Sequence, residues 1–442
     1  MEYNLNNYPN DYPKNQSNGP DGEKGQKQKK NANGFFSGLF TGVLLCLLIL
    51  SCVYTGRQFY HLHQMKQESE AAQNGEPESI TDERAISKLQ VIEDTISDYY
   101  YQEDVNTEDM IDGMYEGVVA SLGDPYSTYY TQEDLTELME QTEGIYYGIG
   151  AYVGMDTQAG LARISGVIKD TPAEAAGLRD GDIIYKVDGE SMQGLEVSEV
   201  VARIKGLEGT KVNLTIVREG EADYLEFEVE RKKIESPTVN YELYDDGTAY
   251  LQITEFDDIT LDQFTEAMAV MREQGMKGLI LDLRANPGGN LSTVVEIARQ
   301  MLPEGLIVYT EDRDGNRVEY SCDGKKEFDQ PLVVLVNGYS ASASEILAGA
   351  IKDYGIGELI GTTTFGKGIV QKVISLSDGT ALKLTVSSYF TPNGNNIHGI
   401  GIEPDEVYEF DGERYYDDGY DNQLEHAKEV IGEKIRRQEA VE

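Results

Sequence analysis

PLVVLVNGYSASASEILAGAIKDYG, residues 331–355, reads as a buried strand, a sharp turn and a helix in immediate succession. The apolar run from Leu332 to Val336 suits a strand covered on both faces. A Gly-Tyr turn follows, then three serines alternating with alanines, then a helix-forming run. Strand, turn and helix start in this order expose a side chain at a sheet edge and aim the positive end of a helix at it. Two readings of the serines are open. Ser342 with Glu345 three residues later makes a capping box that satisfies the first backbone donors of the helix. Alternatively, one serine is a nucleophile whose oxyanion would be held by backbone N–H groups, and the small alanines leave room for a substrate backbone.

Working outward, residues 235–410 alternate strands and helices as an α/β domain does. GTAYLQIT and GLILDLR read as strands, TLDQFTEAMAVMREQ and NLSTVVEIARQML as helices, and GELIG as a further strand. TTFGKGIVQKVISL, ALKLTVSSYF and TPNGNNIHGIGIEPD are expected to be extended segments that close the sheet. Residues 144–234 have a different rhythm, with short β-type runs between turn signals and one helix, EVSEVVARIKG. YYGIGAYV places Gly148, Ile149 and Gly150 just before a strand, where backbone N–H groups turned inward can hold a carboxylate. With TPAEAAGLRDGDIIYKVDGESM downstream, the segment resembles a PDZ domain, which grips a C-terminal carboxylate while the ligand adds as a strand.

Residues 81–143 form a helical region: Leu89, Ile92, Ile96 and Tyr99, then Met110, Ile111, Met114, Val118 and Leu122, recur at helical spacing. GDPYSTYY supplies the turn that ends the second helix. At the other end, residues 411–442 form a helical tail in which Leu424, Ala427, Val430, Ile431 and Ile435 mark an amphipathic helix, expected to be solvated or intersubunit.

FFSGLFTGVLLCLLILSCVY, within a segment spanning 35–56, is apolar over about 20 positions, enough to cross a bilayer as a helix. Lys24, Lys27, Lys29 and Lys30 precede it, so the tail of residues 1–34 is expected to be cytoplasmic and disordered, and the remainder extracytoplasmic. The run is too long and starts too late for a cleaved signal peptide. Residues 57–80 read as a polar tether. Of the cysteines, Cys46 and Cys52 fall in the apolar segment, which leaves Cys322 alone outside and no disulfide to staple the ectodomain. The formal net charge of -42 repels phosphate backbones and argues against a nucleic-acid partner. Four histidines and no His/Cys cluster give no metal-ligand spacing.

A nucleophilic serine needs a base, and the α/β domain has two candidates. His398 lies in NNIHGIGIEPD, a turn and strand. Lys367 lies in FGKG, where Gly366 and Gly368 permit close backbone approach and Phe365, Ile369 and Val370 can desolvate the amine, lowering its pKa. A surface lysine in a turn is the plain alternative.

YSASASEILAGAIKDYG and GTTTFGKGIVQ, with LDLRANPGG, TPNGNNIHGIGIEPD, GDPYSTYY and the inserted PDZ-like segment, resemble the carboxyl-terminal processing peptidases, or tail-specific proteases, across residues 81–410. The resemblance implies a multidomain chain whose catalytic domain has a ClpP/crotonase-like core. It implies Ser342 as nucleophile, Lys367 as general base and Gln371 as the residue that orients the lysine. It also implies an oxyanion hole from the N–H groups of Ala343 and Gly288, and no cofactor. Residues four apart in a straight strand are about 13 Å apart, so Gln371 can touch the amine only if Gly368 bends the chain. Protein substrates with unstructured C-termini and a homodimer through the terminal helices are expected partners. The rival reading is a non-catalytic, membrane-tethered PDZ adaptor.

Overall fold

The computed structural model describes residues 51–60, 63, 79–102, 105–157 and 159–440. Most of the expected membrane segment and all of the cytoplasmic tail lie outside them. Among the described residues, no helix is long and apolar enough to cross a membrane. Residues up to 105 form one unit, with residues 51–60 helical and α1 (Glu83–Tyr99) capped by the Asp82 carboxylate on the Arg84 N–H. Ile86, Leu89 and Ile92 of α1 are exposed.

The second unit, Asn106–Glu442, begins with α2 (Thr107–Ala120), β1 (Thr128–Tyr130) and α3 (Gln132–Glu143). The sequence pattern treated the segment around β1 as a turn within a helical region. Instead β1 pairs antiparallel with residues 381–383, so GDPYSTYY is built into a sheet of the catalytic half.

The PDZ segment comprises β2 (Ile145–Gly148), β3 (Ala151–Asp156), β4 (Leu161–Val167), α4 (Pro172–Ala176), β5 (Ile183–Val187), β6 (Glu190–Ser191), α5 (Val197–Ile204), β7 (Lys211–Val217), β8 (Leu225–Glu230) and β9 (Lys232–Glu235). Its core of Ile164, Ile184, Val200, Leu214 and Ile216 is closed to solvent and separate from that of the next domain. Strands β2 and β9 pair with each other, so the segment leaves and rejoins the chain at adjacent points.

The α/β half contains β10 (Val239–Leu243), β11 (Thr248–Ile253), α6 (Thr260–Glu273), β12 (Gly278–Asp282), α7 (Leu291–Ala298), β13 (Gly305–Asp312), β14 (Arg317–Cys322), β15 (Leu332–Val336), α8 (Ala343–Tyr354) and β16 (Glu358–Gly361). It continues through β17 (Ile369–Ser375), β18 (Ala381–Phe390), β19 (Glu406–Val407), α9 (Gly412–Asp418) and α10 (Asn422–Glu439). A six-stranded sheet runs β10-β11-β12-β15-β16-β19, parallel except for the β10–β11 pair. Every residue of β12 and β15 is buried, as strands covered on both faces must be. Alternate side chains go to opposite faces. Leu279, Leu281, Val334 and Val336 join the core formed with α6, α7 and α8, whereas Ile280, Val333 and Leu335 join one formed with α10.

Two expectations are corrected here. The apolar stripe of the C-terminal helix is neither solvated nor intersubunit, because Ala427, Ile431 and Ile435 cover the sheet of their own chain. The segments after residue 362 do not close the parallel sheet. Strands β17 and β18 instead form an antiparallel sheet with β1, β13 and β14, and only the short β19 extends the parallel one. Extended runs identify strands, whereas partner choice depends on contacts distant in sequence.

Candidate active site

Three loops leave the carboxyl ends of the adjacent parallel strands β12, β15 and β16: LRANPGG, NGYSAS and TTTFGKG. Loops at that edge of an open parallel sheet converge, and this explains why segments far apart in sequence meet here. The Ala341 N–H donates to the Asn286 carbonyl at 3.0 Å and the Phe365 N–H to the Ser340 carbonyl at 3.0 Å, binding the central turn to both neighbours.

The serines of SASAS differ in environment. Ser340 and Ser344 are fully buried, and their hydroxyls donate to the Leu283 carbonyl at 2.7 Å and the Asn286 carbonyl at 3.0 Å. Ser342 is partly exposed and precedes α8 at φ 54°, ψ -111°. A side chain at positive φ is disfavoured by its Cβ, and such strain persists only where the surroundings impose it. The surroundings are visible: the Tyr389 hydroxyl donates to the Ser342 carbonyl at 3.1 Å and the Ser342 N–H donates to the Glu345 carboxylate at 2.9 Å.

Glu345 does more than cap the helix. Its side chain is fully buried and also accepts the Thr364 hydroxyl at 2.6 Å, the Gly366 N–H at 2.7 Å and the Lys367 N–H at 2.9 Å. A buried carboxylate is tolerated when its lone pairs are filled in this way. One carboxylate therefore fastens the serine turn to the FGKG loop.

The Lys367 amine lies over the Tyr126 ring, 4.8 Å from its centroid, and is not hydrogen-bonded to the Ser342 hydroxyl. Burial, reinforced by the charge of Lys383, pushes the amine below the usual lysine range, against the opposing pull of Asp124 and Glu345. Tyr126 is held by Asp124, which accepts its N–H at 3.1 Å and the Ser127 hydroxyl at 2.6 Å.

Gly288 lies against the serine: a Cβ there would stand 2.8 Å from Ser342 Cβ and 3.0 Å from the Ala343 nitrogen, so only glycine fits. Its N–H is already donated to Asn286 Oδ1 at 2.8 Å. The Ala343 N–H is the first of α8 and has no acceptor within the helix. Gln371 does not reach the lysine. Its amide donates to Thr385 Oγ1 at 3.3 Å, and the irregularity of its strand falls between Val370 and Gln371, not at Gly368. His398 is exposed, with its backbone against Gly368.

In the PDZ segment, Ile149 is buried and Gly150 has φ 84°. The Ile149 carbonyl accepts the Ala173 N–H at 2.8 Å and the Gly150 carbonyl accepts the Ile168 N–H at 3.0 Å. With those carbonyls turned inward, neither the Ile149 nor the Gly150 N–H meets an acceptor among the described residues.

Residues 247–408 match the model of peptidase family S41, residues 163–218 that of a PDZ domain, and residues 47–134 that of the activating protease CtpB N-terminal domain. The chain is 37% identical over 331 residues to the carboxy-terminal processing protease CtpA of Bacillus subtilis, covering 75% of this chain and 70% of that protein. The chain belongs to the carboxyl-terminal processing proteases of family S41. It is also 39% identical over 298 residues to a carboxyl-terminal-processing protease of Synechocystis, covering 66% of this chain and 70% of the relative. Among solved structures, it is similar to a photosystem II D1 C-terminal processing protease, with 31% identity, a TM-score of 0.43, and 71% and 85% of the two chains covered.

The peptidase is thus a serine-type enzyme with a PDZ domain, and Glu345 and Tyr126 are among the residues around Ser342 and Lys367 to which its sequence pattern gave no part in a site. The Glu345 signal was present, but only as a helix cap. Tyr126 sat in a motif that read as a turn, and nothing local to it points to Lys367.

Proposed function

We propose that the chain is a membrane-anchored serine endopeptidase that cleaves proteins near or from their C-termini, with Ser342 as nucleophile and Lys367 as general base. The observation that carries this reading is the Glu345 carboxylate bonded to the backbones of both residues. The neutral Lys367 amine swings from Tyr126 to Ser342 and takes the hydroxyl proton as Oγ attacks the scissile carbonyl carbon. The Ala343 N–H faces the developing oxyanion, joined by the Gly288 N–H as it leaves Asn286. The ammonium then gives its proton to the departing amine. Water attacks the acyl-enzyme with the same amine as base, releasing a carboxylate product and restoring Ser342. Gln371 orients the lysine once its amide leaves Thr385.

In this reading the sheet with helices on both faces is a ClpP/crotonase-like core. Gly148, Ile149 and Gly150 capture the substrate's terminal carboxylate, and residues 35–56 anchor the enzyme with its catalytic domain outside. A homodimer would form through α1 and α2, since Ile111, Met114 and Val118 of α2, like the apolar positions of α1, are exposed while the apolar face of α10 is covered.

The test is to incubate the full chain with an unfolded protein bearing a free apolar C-terminus and follow fragments by mass spectrometry. Cleavage abolished by Ser342→Ala and by Lys367→Ala is expected. Cleavage undiminished in either variant would assign the chemistry to other residues.

A further inference from the structure

Where the PDZ segment meets the α/β half, a cavity of about 420 Å³ is lined by Tyr146, Tyr152, Lys205, Glu140, Glu255 and Asp257 together with small polar residues. Asp257 is only 5% exposed. Its backbone is fixed, the N–H donating to Thr260 Oγ1 at 2.9 Å, yet no described residue donates a hydrogen bond to its carboxylate or offsets its charge. Burial, with Glu255 and Asp258 adding to it, pushes Asp257 up to about 7. Burial likewise raises Glu255. The one lysine of the cavity is taken up within it, its Nζ 2.6 Å from Glu140 Oε2 and 5.6 Å from the centroid of the Tyr146 ring. Asp258 is held outside the cavity's lining by Asn290 Nδ2 at 2.7 Å.

A buried carboxyl group with neither donor nor counter-ion is costly to ionise, and a cation brought by a ligand offsets that cost. Lys205 already lies over Tyr146, which leaves the Tyr152 ring and the Asp257 and Glu255 carboxyls to take an ammonium or guanidinium group, by cation–π attraction and charge-assisted hydrogen bonds. A metal ion is disfavoured, because no group of three or more His, Cys, Asp or Glu residues is arranged to hold one among the described residues.

The position of the cavity indicates where that cation comes from. Tyr146 stands on β2, two residues before Gly148 of the carboxylate-binding loop. Asp257 follows Phe256, which donates its N–H to the Gly288 carbonyl at 2.8 Å and whose carbonyl accepts the Asn290 N–H at 2.7 Å, and Gly288 abuts Ser342. The cavity's lining is therefore joined through the backbone both to the loop that would hold a tail and to the loop that abuts Ser342.

We propose that this cavity is a subsite for a lysine or arginine side chain of the polypeptide substrate, so that the enzyme selects tails by a basic residue as well as by their terminus. The proposal rests on the tail-binding role given to the Gly148–Gly150 loop.

It is tested by binding, without turnover, using the full chain carrying Ser342→Ala. Fluorescent peptides with a free apolar C-terminus and one arginine, walked along an otherwise uncharged sequence, are compared by anisotropy with citrulline at the same position. At one position or two neighbouring ones, arginine should bind about tenfold tighter, the ratio of a single good charge-assisted contact. Adding Asp257→Asn, or separately Glu255→Gln, should bring that ratio close to one. The ratio cancels any general loss of fold or of tail binding. No arginine preference at any position, or a preference that survives Asp257→Asn, overturns the subsite while leaving tail capture intact. Free spermidine displacing arginine and citrulline peptides equally would assign the cavity to small cations and also overturn it. Absence of binding by every peptide defeats the tail-binding reading itself, and this proposal with it.

Discussion

The Glu345 carboxylate accepts the backbone N–H of Lys367 at 2.9 Å, although Glu345 stands in the first turn of α8, after β15, and Lys367 in the loop after β16. The same group holds the Ser342 N–H at 2.9 Å and the Thr364 hydroxyl at 2.6 Å. The Glu345 carboxylate touches no reacting atom, yet it fixes how far apart the serine turn and the lysine loop can stand.

Glu345→Gln keeps the shape of the side chain and replaces one acceptor by a donor, so at least one buried N–H or hydroxyl loses its partner. That costs about 1–3 kcal/mol of stability. A shift in the relative position of Ser342 and Lys367 by about 1 Å lowers kcat roughly 10²-fold. Thermal unfolding and kcat measured on the same preparation check both effects. Unchanged kcat alongside lost stability would show that Glu345 supports the fold without positioning the site.

As the proposed base, Lys367 must be neutral to accept a proton, and burial with the nearby Lys383 charge lowers its pKa. Activity is therefore lost as pH falls through the Lys367 pKa, and kcat/KM rises with pH across the value for the free enzyme. Tyr126→Ala opens the amine to water. Losing the ring's attraction lowers the pKa by about 1 kcal/mol equivalent at most, and the gained hydration of the ammonium outweighs it. The rising limb of the profile should move to higher pH in Tyr126→Ala and stay in place in Tyr126→Phe. A limb that moves to lower pH would show that the ring stabilises the cation more than it excludes water.

The central strands, the turn after β15 and the PDZ segment could be read from apolar runs and turn residues because those signals are local. Ser342 and Lys367 drew notice as candidates through their small and glycine neighbours. What stayed hidden depends on contacts between distant segments. Tyr126 meets Lys367 only because β1 pairs with β18, and nothing in GDPYSTYY forecasts that pairing. The amphipathic stripe of α10 was visible, but a stripe does not say what covers it. For Gln371, the family resemblance paired it with the lysine although the spacing within FGKGIVQ argued against contact, and its amide goes to Thr385.

Arg284 joins the end of β12 to the start of α10: its guanidinium is 2.6 Å from Asp282 Oδ2 and 2.8 Å from Asp421 Oδ2. Its side chain is only 12% exposed and that of Asp282 only 1%. Burial alone would raise Asp421, but its hydrogen bonds to Arg284 hold it below the usual aspartate range. A depressed carboxyl contributes stability above the unfolded-state pKa of about 3.9 and loses it as pH falls through the folded-state value. Arg284→Met leaves the buried Asp282 and the partly buried Asp421 without their counter-ion, and breaking such a buried pair costs about 3–5 kcal/mol. Hydrogen exchange should show α10 losing protection first, because Asp421 also caps it through the Leu424 N–H at 2.9 Å. Uniform loss of protection across the domain would mean that the network stabilises the sheet instead of fastening the helix.

Gly150 gives a direct test of tail capture. Its φ of 84° is left-handed, and a Cβ there would stand 2.4 Å from Thr171 Cβ. Thr171 cannot easily retreat, since its hydroxyl donates to the Ile168 carbonyl at 2.6 Å. Gly150→Ala must therefore rotate the loop and turn its N–H groups away from a bound carboxylate. For a peptide with a free C-terminus, affinity should fall about tenfold or more, the equivalent of one lost charge-assisted hydrogen bond. The same peptide amidated at its C-terminus should bind the unsubstituted chain weakly and lose little further in Gly150→Ala, because the contact in question is already absent. If amidated and free peptides bind the unsubstituted chain equally, the loop does not read the carboxylate, and Gly150 serves only to start β3.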